Sequence, residues 1–237
     1  MPTYVYAITP GDHPLALDGL QGVGPDGSEL RVVHGAGLAA VVSTAPEGLR
    51  AKRRDLAAHD AVLQQLMADG AVLPMQFGLL GPDDAAVATA LDEQQDVYRG
   101  RLEDLDGRLE YNLKVSRDEA DLLREILTGS DEARRLNEDT RRNPDARDTK
   151  VRLGEIISQE VQERQRRTGE EIVGALSPAA VNSAPAQAAE PHFLNVSFLV
   201  ERDKAADFSQ AVHEDAERRG DAYAYHLHGP LPAYSFV

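Results

Sequence analysis

Cysteine and tryptophan are both missing from the 237 residues, and methionine occurs only three times. Without cysteine the chain has no disulfide, no thiol nucleophile and no thiolate metal site. Positive charge is also scarce: Lys and Arg together number 25 against 40 Asp and Glu, giving a net charge of −15 and a pI near 4.8. A surface of that sign does not attract the phosphate backbone, so nucleic acid is a poor partner. No apolar run approaches the roughly 18 residues that a bilayer requires. The start "MPTYVYAITP" lacks the basic head of a secretory signal. Together these absences point to a cytoplasmic protein that does not enter the membrane.

What is present is a real apolar fraction, 42% of the chain, patterned as a mixed α+β protein. "TYVYAI" (Thr3 to Ile8) reads as a first strand. "LRVVHGAGLAAVVS" reads as a hairpin of Leu30–Val33 and Leu38–Val42 turning at "HGAG". A helix follows, with an apolar stripe at Leu56, Val62, Leu63, Leu66 and Met67 and a stop at Gly70. Pro74 in "AVLPMQFGLL" allows only an edge, a bulge or a bend. "PDDAAVATALDEQQDVYRGRLEDL" reads as one helix with acidic residues in its first turn, where the helix dipole favours them.

The second half opens on "RLEYNLKVS", where Leu109, Tyr111, Leu113 and Val115 alternate with polar residues. A short helix comes next, then a solvated helical excursion interrupted near Pro144. A long helix carries apolar positions at Val151, Ile156, Ile157 and Val161, and again at Ile172, Val173 and Leu176. A Pro/Ala/Ser-rich loop, the strand "HFLNVSFLVE", a helix and the strand "DAYAYHLHG" complete it. The expected organisation is an N-terminal α+β domain over 1–104. A modified ferredoxin-like domain over 105–228 follows, with a helical extension at about 129–176 and one central strand replaced or displaced by helix. A tail covers 229–237.

Motifs that carry chemistry are thin. Gly22, Gly24 and Gly27 spell G-x-G-x-x-G, but a phosphate site needs a strand before and a helix after, and Pro25 sits inside it. It reads as a turn-rich loop. His226 and His228 share one face of a strand and would need a third zinc ligand, for which only His192 and His213 offer themselves. His59 and Asp60 are adjacent on a helix and do not face each other, so His59 is expected on a partly exposed face. No G-x-S-x-G elbow occurs. Arg pairs at 53–54, 134–135, 141–142, 166–167 and 218–219 lie beside acidic residues on helices, where ion pairing accounts for them. Asn195-Val196-Ser197 falls mid-strand, a poor place for a glycan. The alternative of an enzyme or a small-ligand- or metal-binding module on a ferredoxin-like scaffold rests on His226, His228 and the Gly loop alone.

"TYVYAI", "VLPMQFG" (72–78), "LEYNLKV" (109–115), "LNVSFLV" (194–200) and the ending "HGPLPAYSFV" together resemble the gas vesicle protein F/L family, from residue 3 to 237. Motif positions carried over are Pro74, Phe77, Gly78, Tyr111 and Lys114. The chain departs from the family pattern at Gln76, where Arg is usual, and at Leu231 and Ala233, where the ending is usually bulkier. The resemblance implies a non-enzymatic accessory or minor structural protein needed to build gas vesicles, the gas-filled buoyancy shells of some prokaryotes. Implied partners are the small hydrophobic shell protein (gas vesicle protein A) and other gas vesicle accessory proteins. Implied locations are the cytoplasm and the vesicle. No catalytic residue, cofactor or metal comes with it. The family fold implies two α+β domains with the C-terminal tail between them. Pro230, Leu231, Pro232, Tyr234 and Phe236 are therefore expected to seat the tail in the cleft between domains, the prolines lowering the entropy lost on fixing it.

Overall fold

The computed structural model describes residues 1–237. The chain divides into two compact units. The first comprises Met1–Tyr111, Leu199–Arg202 and Gly229–Val237; the second comprises Asn112–Phe198 and Asp203–His228.

The first unit is built on β1 (Thr3–Pro10), β2 (Arg31–Gly35) and β3 (Leu38–Thr44), followed by α1 (Arg53–Asp69), β4 (Leu73–Pro74), β5 (Leu80–Gly81), α2 (Asp84–Glu93) and α3 (Gln95–Leu105). The sheet order is β2-β3-β1-β4, with β5 also on β1, and every pairing is antiparallel. The β2–β3 turn is tighter than "HGAG" suggested. Gly35 pairs with Leu38, leaving only Ala36 and Gly37, both at positive φ (49° and 72°), the backbone that a two-residue type I′ turn demands. Pro74 lies in a two-residue edge strand, where its missing N–H costs no ladder bond.

β1 and β3 are buried almost throughout, because helices cover both faces of the sheet. On one face Val5, Ile8, Leu38, Ala40 and Val42 pack with Leu91 of α2 and Leu102 and Leu105 of α3. The other face holds Tyr4 and Tyr6 against α1. A register shift between Val5 and Ala7 makes Tyr6 an extra residue in the strand. Such a bulge changes which residues face which side, which is why Val5 and Ile8, three apart, share one core.

Three expectations for this unit are corrected. Leu56 is exposed, and the buried stripe of α1 is Asp55, His59, Val62, Leu63, Leu66 and Met67. Counting only apolar residues hid its first turn, which is polar. Gly70 adopts an extended φ of 168° and not a left-handed cap. The last carbonyls of α1 are capped by side chains instead: His13 Nε2 donates to Leu66 O at 3.1 Å, and Arg202 Nη2 to Met67 O at 2.7 Å. Finally, α2 and α3 are separate helices that break at Gln94 (φ −107°, ψ 16°). Asp83, one residue before α2, caps it by accepting from Ala86 N–H.

The rest of the chain runs β6 (Arg108–Arg117), α4 (Glu119–Gly129), α5 (Asp131–Arg142), α6 (Arg147–Leu176), β7 (Asn182–Pro185), β8 (His192–Glu201), α7 (Ala205–Arg219) and β9 (Tyr223–Leu231), all in the second unit except the start of β6 (108–111) and the ends of β8 (199–201) and β9 (229–231), which belong to the first. The sheet order is β7-β8-β6-β9. No strand is lost to helix: β7 lies inside the Pro/Ala/Ser-rich segment, whose composition concealed it, and takes an edge position. The α5–α6 break at 143–146 does fall around Pro144. The apolar stripe of α6 is buried only at its C-terminal end, by Thr168, Gly169, Ile172 and Leu176, while Val151 is 61% exposed. Phe198 of β8 meets Phe208 of α7 with ring centroids 5.2 Å apart. Leu122, Ile126 and Ala133 form a small separate cluster joining α4 and α5, against which Ile156 and Val161 of α6 pack.

Candidate functional site

The site grows from α1. With Asp55, Val62, Leu63 and Leu66 on one face, His59 falls in phase with them and is carried inward. It is 2% exposed, not the partly exposed residue its polarity suggested. A buried imidazole needs partners for both nitrogens, and three of the segments that carry the family resemblance supply them.

β1 supplies Tyr4, whose hydroxyl lies 2.9 Å from His59 Nδ1. The 73–81 segment supplies the Met75 carbonyl, 3.1 Å from Nε2. The C-terminal tail supplies the Tyr234 hydroxyl, 3.0 Å from the same nitrogen. The proton positions follow by elimination. A carbonyl only accepts, so Nε2 carries the hydrogen and Nδ1 accepts from Tyr4 O–H. Tyr4 in turn accepts from Gly78 N–H at 3.2 Å. Phe77 closes the cluster edge-on to Tyr4 (5.9 Å) and to His59 (5.8 Å), and Tyr6 stacks on His59 at 5.5 Å.

A second polar layer adjoins it. Tyr6 bonds Ser43 of β3 at 2.9 Å and accepts from Val23 N–H at 2.7 Å. Asp55 accepts from Gly24 N–H at 3.0 Å and sits in the first turn of α1, where the dipole favours a carboxylate. The glycine pattern thus serves close packing: a Cβ on Gly22 would come within 2.5 Å of the Tyr6 hydroxyl. Burial sets the protonation states. It holds the His59 imidazole below its usual range and pushes the Tyr4, Tyr6 and Tyr234 hydroxyls up. All four are neutral near pH 7.

The tail is fixed at further points. Ser235 donates to the buried Glu110 of β6 twice, from its backbone N–H at 2.9 Å and its hydroxyl at 2.7 Å. Pro232 and Ala233 are buried, Phe236 packs against the first unit's core, Leu231 is half-buried, and Pro230 is exposed. Gly229 is required: its φ is 156°, and a Cβ there would lie 2.5 Å from the Tyr111 ring. Lys114 is half-buried in the middle of β6.

The other candidates stay apart from this cluster. The His192 and His226 rings touch edge-on at 5.6 Å, His228 is exposed, and His213 lies 3.3 Å from Glu217 on α7. No group of three His, Asp or Glu side chains is placed to share a metal ion. The Arg pairs engage acidic neighbours, as at Arg54–Asp55, Arg134–Asp131, Arg142–Glu138, Arg166–Glu163 and Arg218–Asp215. The His59 node itself was missed in the sequence. Its one available signal was phase, since His59 is four residues after Asp55 and three before Val62.

The comparisons with known proteins agree with one another. The family model for gas vesicle synthesis protein GvpL/GvpF matches residues 2–237. Gas vesicle protein F of Streptomyces sp. (strain CB03234) is 41% identical over 238 residues, covering all of both chains. Gas vesicle protein L of the same strain is 28% identical, covering 99% of this chain and 92% of that one. The crystal structure of GvpF from Anabaena sp. PCC7120 superposes with a TM-score of 0.85 at 21% identity, over 99% of this chain and 97% of that one. GvpF from Microcystis aeruginosa gives 0.80 at 22% identity, over 99% and 98%. The chain belongs to the gas vesicle GvpL/GvpF family.

Proposed function

We propose that this protein is a non-enzymatic accessory factor of gas vesicle assembly that binds the small apolar shell protein, gas vesicle protein A, and limits its wrong association before it joins the shell. The observation that carries the reading is the full-length family match over residues 2–237. Physical chemistry supplies the need. A protein that will line a gas phase exposes apolar surface before assembly, and such surface aggregates. A partner with a charge of −15 stays soluble while holding it. The His59 node fits a scaffolding role, because its buried polar atoms are spent on one another in joining β1, the 73–81 segment and the tail.

The second unit is read as a ferredoxin-like module with a helical insertion. Its β-α-β-β-α-β element order, with α5 and α6 added and the strand order β7-β8-β6-β9, supports this. The test of function is co-purification with the shell protein, together with vesicle counts in a deletion strain. Association and loss of vesicles are expected. A chain that ignores the shell protein, in a strain whose vesicles form normally without it, would sink the reading.

A further inference from the structure

Two helices of the first unit end at one open cavity of about 650 Å³, a volume that suits a small-molecule site. α1 brings Asp69 and Gly70 to it, α3 brings Glu103 and Asp106, and the segment after β1 brings Asp12 and His13. The four carboxylates are exposed, and none is in an ion pair. A carboxylate at a helix C-terminus faces the negative end of the dipole, and neither α1 nor α3 has a basic residue in its last turn. Arg99 is the one cation in the lining, and it turns away from Glu103, one helical turn on: its Nη2 donates to the Ala36 carbonyl at 2.9 Å. Arg202 and Arg108 bond the Met67 and Asp104 carbonyls near the two helix ends, outside the lining. His13 supplies an independent observation. It is 8% exposed. Its Nε2 carries the hydrogen, since it donates to Leu66 O, so Nδ1 is an acceptor. That acceptor is buried and has no partner, whereas buried polar atoms are as a rule bonded.

We infer that this cavity binds an organic cation, an ammonium or guanidinium head on an aliphatic stem. The head sits between the α1 and α3 ends, where carboxylates and helix dipoles attract it together. It carries several N–H donors, so one can complete His13 Nδ1 while the others face carboxylates. The stem lies on Pro10 and Pro14 of the lining, as basic side chains lay their methylenes on apolar surface. A metal ion is the poorer guest, because no three His, Asp or Glu side chains are placed to share one. An anion is disfavoured by four carboxylates against one engaged guanidinium. Free amines and the Lys or Arg side chains of another protein share this chemistry. The inference is independent of the shell-protein reading, and either can fail alone.

The test titrates the full chain, at physiological salt, with two probes. One is agmatine, which carries both heads on a single stem. The other is a capped peptide with one arginine among glycines and serines. Binding is read by NMR on the His13 imidazole signals. Saturable shifts are expected, and the tighter probe names the source, a free amine or a protein side chain. A double variant, Glu103→Gln with Asp106→Asn, should weaken binding at least about tenfold. Both positions are exposed, and an unchanged melting curve shows that the variant folds. A control double variant, Glu163→Gln with Glu170→Gln, removes the same charge from the exposed side of α6 and should bind like the wild type. Equal weakening by the two variants would mean bulk attraction to a chain of charge −15 and overturns the inference. So do probes that never saturate, or His13 signals that do not move.

Discussion

Two regions of this molecule solve the problem of polar residues in opposite ways. Around His59 in the first unit, four side chains with titratable rings or hydroxyls are drawn inward and bonded to one another or to backbone. Along the solvent face of α6 in the second unit, polar residues stay outside and pair across helix turns, as in Arg166 with Glu163 and Glu170. Leu122, Ile126 and Ala133 form a small buried cluster between α4 and α5, and α6 is buried only towards its C-terminal end. Inside, a stranded donor or acceptor costs about 1–3 kcal/mol. Outside, water takes over when a partner is removed, and an ion pair is worth at most about 1 kcal/mol. Polar side chains therefore fix structure in one region and merely tolerate solvent in the other.

The largest break in that contrast should come from removing the tail. Deleting Pro230–Val237 exposes core now covered by Ala233 and Phe236, and it removes the partners of His59 and Glu110. A loss of about 3–5 kcal/mol is expected from apolar area and stranded polar groups, read as a drop of several degrees or more in melting temperature. An unchanged melting curve would mean that the tail contributes nothing to the folded first unit. His59→Leu comes next. It keeps an apolar side chain of similar bulk but strands the Tyr4 hydroxyl and the Met75 carbonyl, so about 2–4 kcal/mol should be lost. Urea titration measures it, and a neutral result would show that the node's bonds are dispensable.

Much of the architecture was legible because it rests on period and punctuation. Leu109, Tyr111, Leu113 and Val115 announced β6 by alternation, and Pro74 announced an edge. What stayed hidden was set by tertiary partners. β7 has no apolar alternation of its own; it is a strand only because β8 lies beside it. Leu56 and Val151 are apolar but point outward, while Asp55 and His59 are polar and point inward, since helical phase and not hydropathy decides the face. The node could not be read at all from local pattern. It joins residues 4, 59, 75 and 234, and nothing near any one of them names the others. The resemblance-bearing segments did mark three of its four contributors, without saying that they meet.

A gentler break is acid. His59 is neutral in the folded chain because burial disfavours the imidazolium, which holds its proton affinity below the ordinary value near 6.5. The unfolded chain therefore binds a proton at a higher pH than the folded chain does. The stability that neutral His59 provides is complete above about pH 6.5 and is lost progressively as pH falls below it. Protonation would also place a second N–H against Tyr4, which already accepts from Gly78. Melting temperatures measured from pH 7 down to pH 5 should fall for the wild type. They should fall less for His59→Gln, whose side chain does not titrate. Identical slopes for the two chains would mean that His59 is not the group that couples this unit to pH.

The smallest effect is expected where the ion pairs are most conspicuous. Arg166 bonds Glu163 at 2.8 Å and Glu170 at 2.6 Å, and the Glu163 carboxyl is held below its usual range by that guanidinium. Both partners nonetheless stand on the solvent side of α6, where holding two long side chains in one geometry costs entropy and salt screens the attraction. Ala is the strongest helix former, so Arg166→Ala loses the pairs while keeping the backbone preference intact. The melting temperature should not change measurably at physiological salt. At low salt a slight decrease should emerge, because screening is weaker there. A fall at physiological salt as large as that of the tail deletion would reverse the contrast, making the outer charges of α6 a structural support in their own right.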